Sequence, residues 1–216
     1  PHSDTRFFTN TENSSLVTRF AATLKEARFF DVLVGYFRAS GFHLLCHSLQ
    51  DVEKIRILVG LNVDEQIFSA SQDAMLPLPG NLLSHQEARN LYSRQLVQEI
   101  ESAEETQATE ESIRIFMQWL QQGKLELRGH PSRTIHAKVY ISRYRGDLLY
   151  GSVITGSSNF STSGLMAQCE FNVELKDRPD VDFALERFEK LWQEGIALTD
   201  IFVATVQQKT WLSESI

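Results

Sequence analysis

The first strong pattern along the chain is helical. After a polar run from Thr9 to Ser15, the apolar residues Leu16, Phe20, Leu24 and Ala27 recur at intervals of three and four, which lines one face of an α-helix. Any of the last polar residues of that run is suited to cap it, and the helix is expected to end before Phe29. The period then changes. Phe30 to Tyr36 encloses Val32-Leu33-Val34 and stops in the Gly- and Ser-containing segment Gly35 to Gly41. A short apolar run that ends in turn residues reads as a buried strand. Phe42, Leu45, Cys46 and Leu49 mark a second helix, and Ile55 to Gly60 a second strand. A strand, a helix and a strand in succession imply a parallel pair with a right-handed crossover. The grammar predicts an α/β fold, a mixed sheet flanked by helices on both faces.

Residues 64–81 show no period and read as an insertion or a loop on the substrate side. Leu83 to Gln122 is predicted helical, as two helices with an interruption near residues 102–109. Ile113, Phe116, Met117 and Leu120 form the stripe of the second, and Gly123 is its stop. Leu125 to Arg128 alternates as a strand. Val139-Tyr140-Ile141 and Leu148 to Thr155 are two β-prone runs joined by the turn-rich segment Arg143 to Asp147, the signature of a hairpin. A small polar turn, Gly156 to Asn159, closes the second run. Phe160 to Gly164 reads as a short helical turn. Glu170 to Leu175 alternates again, with Asn172 and Glu174 on one face. Val181, Leu185, Phe188, Leu191 and Trp192 make a further amphipathic helix ending at Gly195, Ile201 to Gln207 a last one, and Trp211 packs back on the domain or onto a neighbour.

At 216 residues the chain suits one domain over residues 1–216. It opens on Pro rather than Met, and is expected to be a fragment of a longer protein. No apolar run is long enough to span a bilayer and no signal-peptide pattern opens the chain. A cytoplasmic protein without a membrane partner is expected. The two cysteines, Cys46 and Cys169, have neither metal spacing nor the look of a disulfide framework and are expected as free thiols. His43 and His47 stand four apart, which would put them on one helix face, but no Glu completes a metal-binding pattern and no third ligand is evident. No metal or cofactor is expected. The net charge of −7 opposes nucleic-acid binding by the domain as a whole. Lys124, Arg128, Arg133, Lys138, Arg143 and Arg145, with only Glu126 against them, predict a local basic stripe that a polyanion could use.

The candidate chemistry lies between His136 and Glu174. His136 and Lys138, one residue apart, project from the same face of a strand. They are followed in order by Gly156-Ser157-Ser158-Asn159 and Asn172-Val173-Glu174. This succession resembles the phospholipase D-like superfamily, in which an H-x-K pair precedes G-S-x-N and a later acidic residue. The matching positions are His136, Lys138, Ser157, Asn159 and Glu174. The family's commoner pattern has an Asp five residues after the Lys, where this chain has Arg143. Nuclease-like branches often lack that Asp, so the departure points away from a lipase. The opening half, with Val34-Gly35-Tyr36-Phe37 and Leu58-Val59-Gly60, resembles the phospholipase D-like domain fused ahead of bacterial superfamily-2 helicases, which implies a helicase partner domain outside these residues.

The residue types fit phosphodiester cleavage. A His136 ring nitrogen can attack phosphorus and form a covalent intermediate. Lys138 can neutralise the non-bridging oxygens, Ser157 and Asn159 can donate hydrogen bonds to them, and Glu174 can fix the imidazole's tautomer. Protonation of the leaving oxygen wants a second imidazole, and this chain has one H-x-K. The resemblance implies that single-motif members pair as homodimers across one composite site. It also places Tyr36 and Arg38 at the active-site border, although Tyr36 is equally suited to core packing. Arg133 and Ser158, beside the two motifs, complete the expected substrate contacts. The expected function is metal-independent cleavage of nucleic acid, DNA first. An inactive nucleic-acid-binding module and a phospholipid-acting phosphodiesterase are the alternatives.

Overall fold

A computed structural model of the chain describes residues 5–10, 15–35, 37, 39–60, 90, 107–130, 135–146, 150–161, 163–167, 169–200 and 203. At the start of the polar run, and mostly ahead of it, lies a strand that the sequence did not announce, β1 (Phe7–Thr9). Ser15 caps the first helix: its hydroxyl accepts a hydrogen bond from the Thr18 amide at 3.3 Å, satisfying a donor the helix leaves open. Helix α1 (Leu16–Thr23) buries Leu16 and Phe20 completely. One 3-10 turn, Leu24–Glu26, leads directly into β2 (Ala27–Val34). Helix α2 (Ala39–Leu45) crosses to β3 (Lys54–Gly60), which pairs with β2 in parallel register, as predicted. Helix α3 (Gln107–Gln121) leads into β4 (Leu125–His130), again parallel to its neighbour.

The second half is an antiparallel meander. Strand β5 (Lys138–Tyr144) returns beside β2, followed by β6 (Gly151–Gly156) and β7 (Phe171–Leu175). A single π-helical turn, Ser163–Ala167, lies between the last two. Helix α4 (Arg178–Glu194) precedes a two-residue strand, β8 (Ile196–Ala197). One sheet holds all eight strands in the order β1-β7-β6-β5-β2-β3-β4-β8. Because β2, β3 and β4 run one way and β5 the other, the carboxyl ends of β2, β3, β4 and β6 share an edge with the amino ends of β5 and β7.

Alternation along the strands sends side chains to two separate cores. On one face Phe30, Val32, Ile55, Ile57, Leu127, Tyr140 and Ile154 pack with Phe20, Phe42, Phe116 and Trp119 of α1, α2 and α3. On the other, Leu33, Leu58, Ile141 and Val153 pack under Val181, Phe188 and Trp192 of α4. Helices therefore cover both faces of a mixed sheet. Each fully buried Phe or Leu adds about 1.5–3 kcal/mol of transfer free energy.

Candidate active site

The segment Ile135 to Ala137 crosses the shared strand edge before β5 begins. The Gly35 amide donates to the Ala137 carbonyl at 2.9 Å, extending the β2–β5 ladder by one bond, and Lys138 sits opposite Val34. Close approach to β3 depends on Gly60, since a Cβ there would lie 2.6 Å from the Ile135 carbonyl oxygen, inside van der Waals contact.

His136 is exposed, and Lys138, two residues on, is buried. The Lys138 ammonium lies 3.1 Å from Nδ1 and 3.3 Å from Nε2 of the His136 ring, and 3.2 Å from the His136 carbonyl oxygen, to which it donates. The ammonium stands almost equidistant from the two ring nitrogens, whose in-plane directions diverge, so it lies against the face of the imidazole rather than on the lone pair of one nitrogen. Burial pushes the Lys138 pKa below the usual lysine value, and the nearby Glu170 carboxylate partly opposes the shift. The Thr155 hydroxyl donates to the Lys138 carbonyl at 2.9 Å and so ties β6 to the lysine's own backbone.

At the end of β6, Gly156 lets β7 pass: a Cβ there would stand 2.2 Å from the Phe171 carbonyl oxygen. Ser157 follows, exposed. Its hydroxyl donates to the Glu170 carboxylate and accepts from the Phe171 amide at 3.1 Å. Its own amide donates to the Phe171 carbonyl at 3.2 Å. Glu170, itself buried, thus acts on both Ser157 and Lys138. Asn159 holds a buried side-chain oxygen, Oδ1, that has no hydrogen-bond partner among the described residues.

A family model described as cardiolipin synthase, PLD-like domain, matches residues 30–192, a span that runs from β2 to α4 and contains every residue of this cluster. The chain belongs to the phospholipase D-like family. Its fold is similar to that of Nuc from Salmonella typhimurium, a phospholipase D family member, with 16% identity over 88% of this chain and 95% of that one and a TM-score of 0.50. Phosphatidylserine synthase from Haemophilus influenzae Rd KW20 has a similar fold over 89% of this chain and 39% of that one, at 14% identity and a TM-score of 0.52. At these identities the likeness is one of fold. No curated protein sequence matches the chain.

The phospholipase D-like framework brings together His136, Lys138 and Ser157, but two expected site residues lie elsewhere. Ser158 is completely buried. Its hydroxyl accepts from Asn172 Nδ2 at 2.9 Å and its carbonyl from the Tyr140 hydroxyl at 2.8 Å, so it braces the turn rather than meeting substrate. Glu174 pairs with Arg19 at 3.4 Å and stands opposite Ile154, two residue pairs back from the strand end. The acid that stands beside Ser157 and Lys138 is Glu170, which sequence reasoning passed over as the first residue of an alternating run. Tyr36, Arg38 and Arg133 lie outside the described residues.

Among the described residues the expected basic stripe is not assembled. Lys124, at the entry to β4, donates to the Gln50 carbonyl, and Arg143 and Arg145, at the far end of β5, engage Asp31 and the Asp51 carbonyl. All three sit at the edge opposite His136. Arg128 donates to the Trp192 carbonyl beneath α4. In the phospholipase D-like chain Lys138 is therefore the cation of the site among the described residues. The His43–His47 pair does not share a helix, since α2 ends at Leu45. His43 Nδ1 is instead bonded to the Ser112 hydroxyl at 2.7 Å, and no group of three His, Cys, Asp or Glu side chains among the described residues could hold a metal ion.

Proposed function

We propose that this domain is a phosphodiesterase that cleaves nucleic acid, DNA in the first instance, through a covalent phosphohistidine. The observation that carries the reading is the contact of the Lys138 ammonium with the exposed His136 ring at the sheet edge. It sets a nucleophile and a cation within reach of one phosphorus. A non-bridging oxygen of the substrate takes the ammonium, while the imidazole nitrogen that carries the lone pair faces phosphorus. That nitrogen bonds to phosphorus as the bond to the leaving oxygen breaks. Ser157 and Asn159 hold the remaining oxygens, and Glu170 orients Ser157. Water then attacks phosphorus, freeing His136 and leaving a phosphomonoester.

The leaving oxygen needs a proton. His130, the histidine that ends β4, lies 3.3 Å from Glu194 under α4 and does not serve. The proposal assigns the proton donor to His136 of a second copy, in a symmetric dimer with one composite site. Since the chain supplies nucleophile and cation itself, the proposed reaction needs no metal ion. The choice of nucleic acid rests on the likeness to nuclease-type branches and on Arg143 in place of the family's commoner Asp.

The test is cleavage of single- and double-stranded DNA in EDTA, wild type beside His136→Ala, with protein-bound phosphate trapped by acid-free quenching. Cleavage should survive the chelator, fall by about 10³-fold or more in the variant, and leave the wild type joined to one cleavage fragment through an alkali-stable, acid-labile N–P bond. Activity that vanishes in EDTA and returns with a divalent ion overturns the mechanism. The description of the matching family model favours phosphatidyl transfer as the second reading, and head-group release from phospholipid vesicles without DNA cleavage would establish it. DNA binding without cleavage would leave an inactive binding module.

A further inference from the structure

The residue that follows β1 is polar and buried. Asn10 reaches three other segments of the chain. Its Oδ1 accepts from the Leu16 amide at 2.9 Å, its Nδ2 donates to the Gly164 carbonyl at 2.7 Å, and its backbone amide donates to the Glu170 carbonyl at 3.4 Å. The last bond continues the β1–β7 ladder, in which Thr9 faces Phe171, and so sets Asn10 opposite Glu170. A buried carboxamide is unfavourable unless it is bonded, and this one is bonded on both of its polar ends.

Asn10 lies on the side of the sheet from which the site is built. Phe8 and Tyr140 pack in the core under α1, α2 and α3. Alternation gives the same face to Asn10, two residues after Phe8, and to Lys138, two before Tyr140. Glu170, across from Asn10, shares it, and its carboxylate accepts from Ser157. The Gly164 carbonyl belongs to a turn that starts at Asn159. The Ser161 amide donates to the Asn159 carbonyl at 2.9 Å, and the Gly164 amide to the Ser161 hydroxyl at 3.2 Å. Gly164 comes so close that a Cβ on it would stand 2.4 Å from the Asn159 carbonyl oxygen and 2.8 Å from its nitrogen. Holding Gly164 therefore holds the main chain of Asn159.

We propose that Asn10 is a positioning residue for the site: it fixes Asn159 relative to Glu170, and so the spacing of the groups that hold the phosphate oxygens. The inference rests on the function proposed above, and adds to it a residue ahead of the span that identifies the family. Asn10 meets no substrate. It acts through Gly164 on Asn159 and through its own amide on Glu170.

The test compares the whole chain with Asn10→Asp, Asn10→Ala, Asn159→Ala and the double variant of Asn10→Asp with Asn159→Ala. The readouts are kcat and KM on a single-stranded oligonucleotide in EDTA, and urea unfolding. Asn10→Asp keeps the acceptor for the Leu16 amide but sets an acceptor against the Gly164 carbonyl, so it breaks the bond on the site's side alone. Asn10→Ala removes both bonds without adding a charge, and serves if the Asp variant does not fold. Either should lower kcat per folded molecule by about 10- to 100-fold, the cost of a small misplacement, with a smaller change in KM. On the Asn159→Ala background the loss from Asn10→Asp should shrink to about 3-fold or less, because residues acting through one contact are not additive. A lower urea midpoint with full kcat, beside a slowed Asn159→Ala, makes Asn10 a residue of the fold only; it overturns the inference and leaves the proposed function standing. An undiminished loss in the double variant overturns it as well. Full kcat in Asn159→Ala takes that residue out of the site, and the inference with it. A wild type that cleaves no oligonucleotide removes the proposed function itself, and the inference falls with it.

Discussion

Burial favours the neutral form of Lys138, and Glu170 only partly opposes it. Two consequences follow at the scale of the residue. Cleavage needs the charged ammonium, so the alkaline limb of kcat/KM should fall below the ordinary lysine range, and a Lys138→Arg variant, which stays charged, should keep whatever activity it retains past that limb. The stability effect has the opposite sense. Because the folded-state pKa is depressed, the unfolded chain binds more protons between the depressed value and the ordinary one, and wild-type stability should rise with pH across that window. A plot of melting temperature against pH checks it, and a flat plot would contradict the burial argument. The two acids of the last meander strand should separate equally clearly. Glu170→Gln removes the charge beside Lys138 and Ser157, and is expected to lower kcat by about 10-fold or more with little change in stability. Glu174→Ala leaves Arg19 without its buried partner and should cost about 3 kcal/mol in urea unfolding, with kcat per folded molecule retained.

At the scale of the element, the strands are locked by charge as well as by apolar packing. Asp31 of β2, 1% exposed, accepts from Arg56 Nε at 2.7 Å and from a second Arg56 nitrogen at 3.0 Å, and from Arg143 at 3.2 Å. Arg56 also donates to Glu189 of α4 at 2.8 Å. Burial works against the Arg56 charge, but these bonds outweigh it and raise its pKa. Asp31→Ala would take the buried acceptor from two guanidinium groups, leaving Arg56 only its bond to Glu189, and should lower stability by about 3–5 kcal/mol, read as a drop in urea midpoint; a change under 1 kcal/mol would show the network to be incidental. The network also accounts for Arg143: where the commoner family pattern has an acid, this chain has a base answering Asp31. The strands β2, β3, β5 and β6 were legible because their apolar runs are long enough to show a period. The strands β1 and β8 were not, because three and two residues carry none. Glu170 was hidden for a different reason. Alternation correctly put Asn172 and Glu174 on one buried face, but which acid stands at the site depends on the β6–β7 register. That register places Gly156 opposite Asn172, and so Ser157 beside Phe171 and Glu170.

For the whole molecule, the parallel and antiparallel halves meet where β2 and β5 pair, and it is there, at the shared strand edge, that the site lies. This is why motifs far apart in sequence could be read as one site: each ends a strand or begins one at the same edge. The basic stripe failed the same test, since a charge count along the chain ignores which end of a strand a residue occupies. Under the proposed reaction, the single H-x-K makes assembly part of the chemistry. Specific activity should fall on dilution through the dimer dissociation constant, and a species that is strictly monomeric by light scattering yet cleaves DNA at full rate would rule out the composite site.

One further property follows from the two cores. Trp119 is buried against Phe42 on one side of the sheet, with the Lys124 ammonium 3.9 Å from its ring centroid. Trp192 is buried against Phe188 on the other, beneath the Arg56 and Arg128 guanidinium groups. Each layer thus carries its own indole, in its own electrostatic setting. With Trp211 and one of these two indoles replaced by Phe, the emission of the remaining ring reports local opening of its own layer.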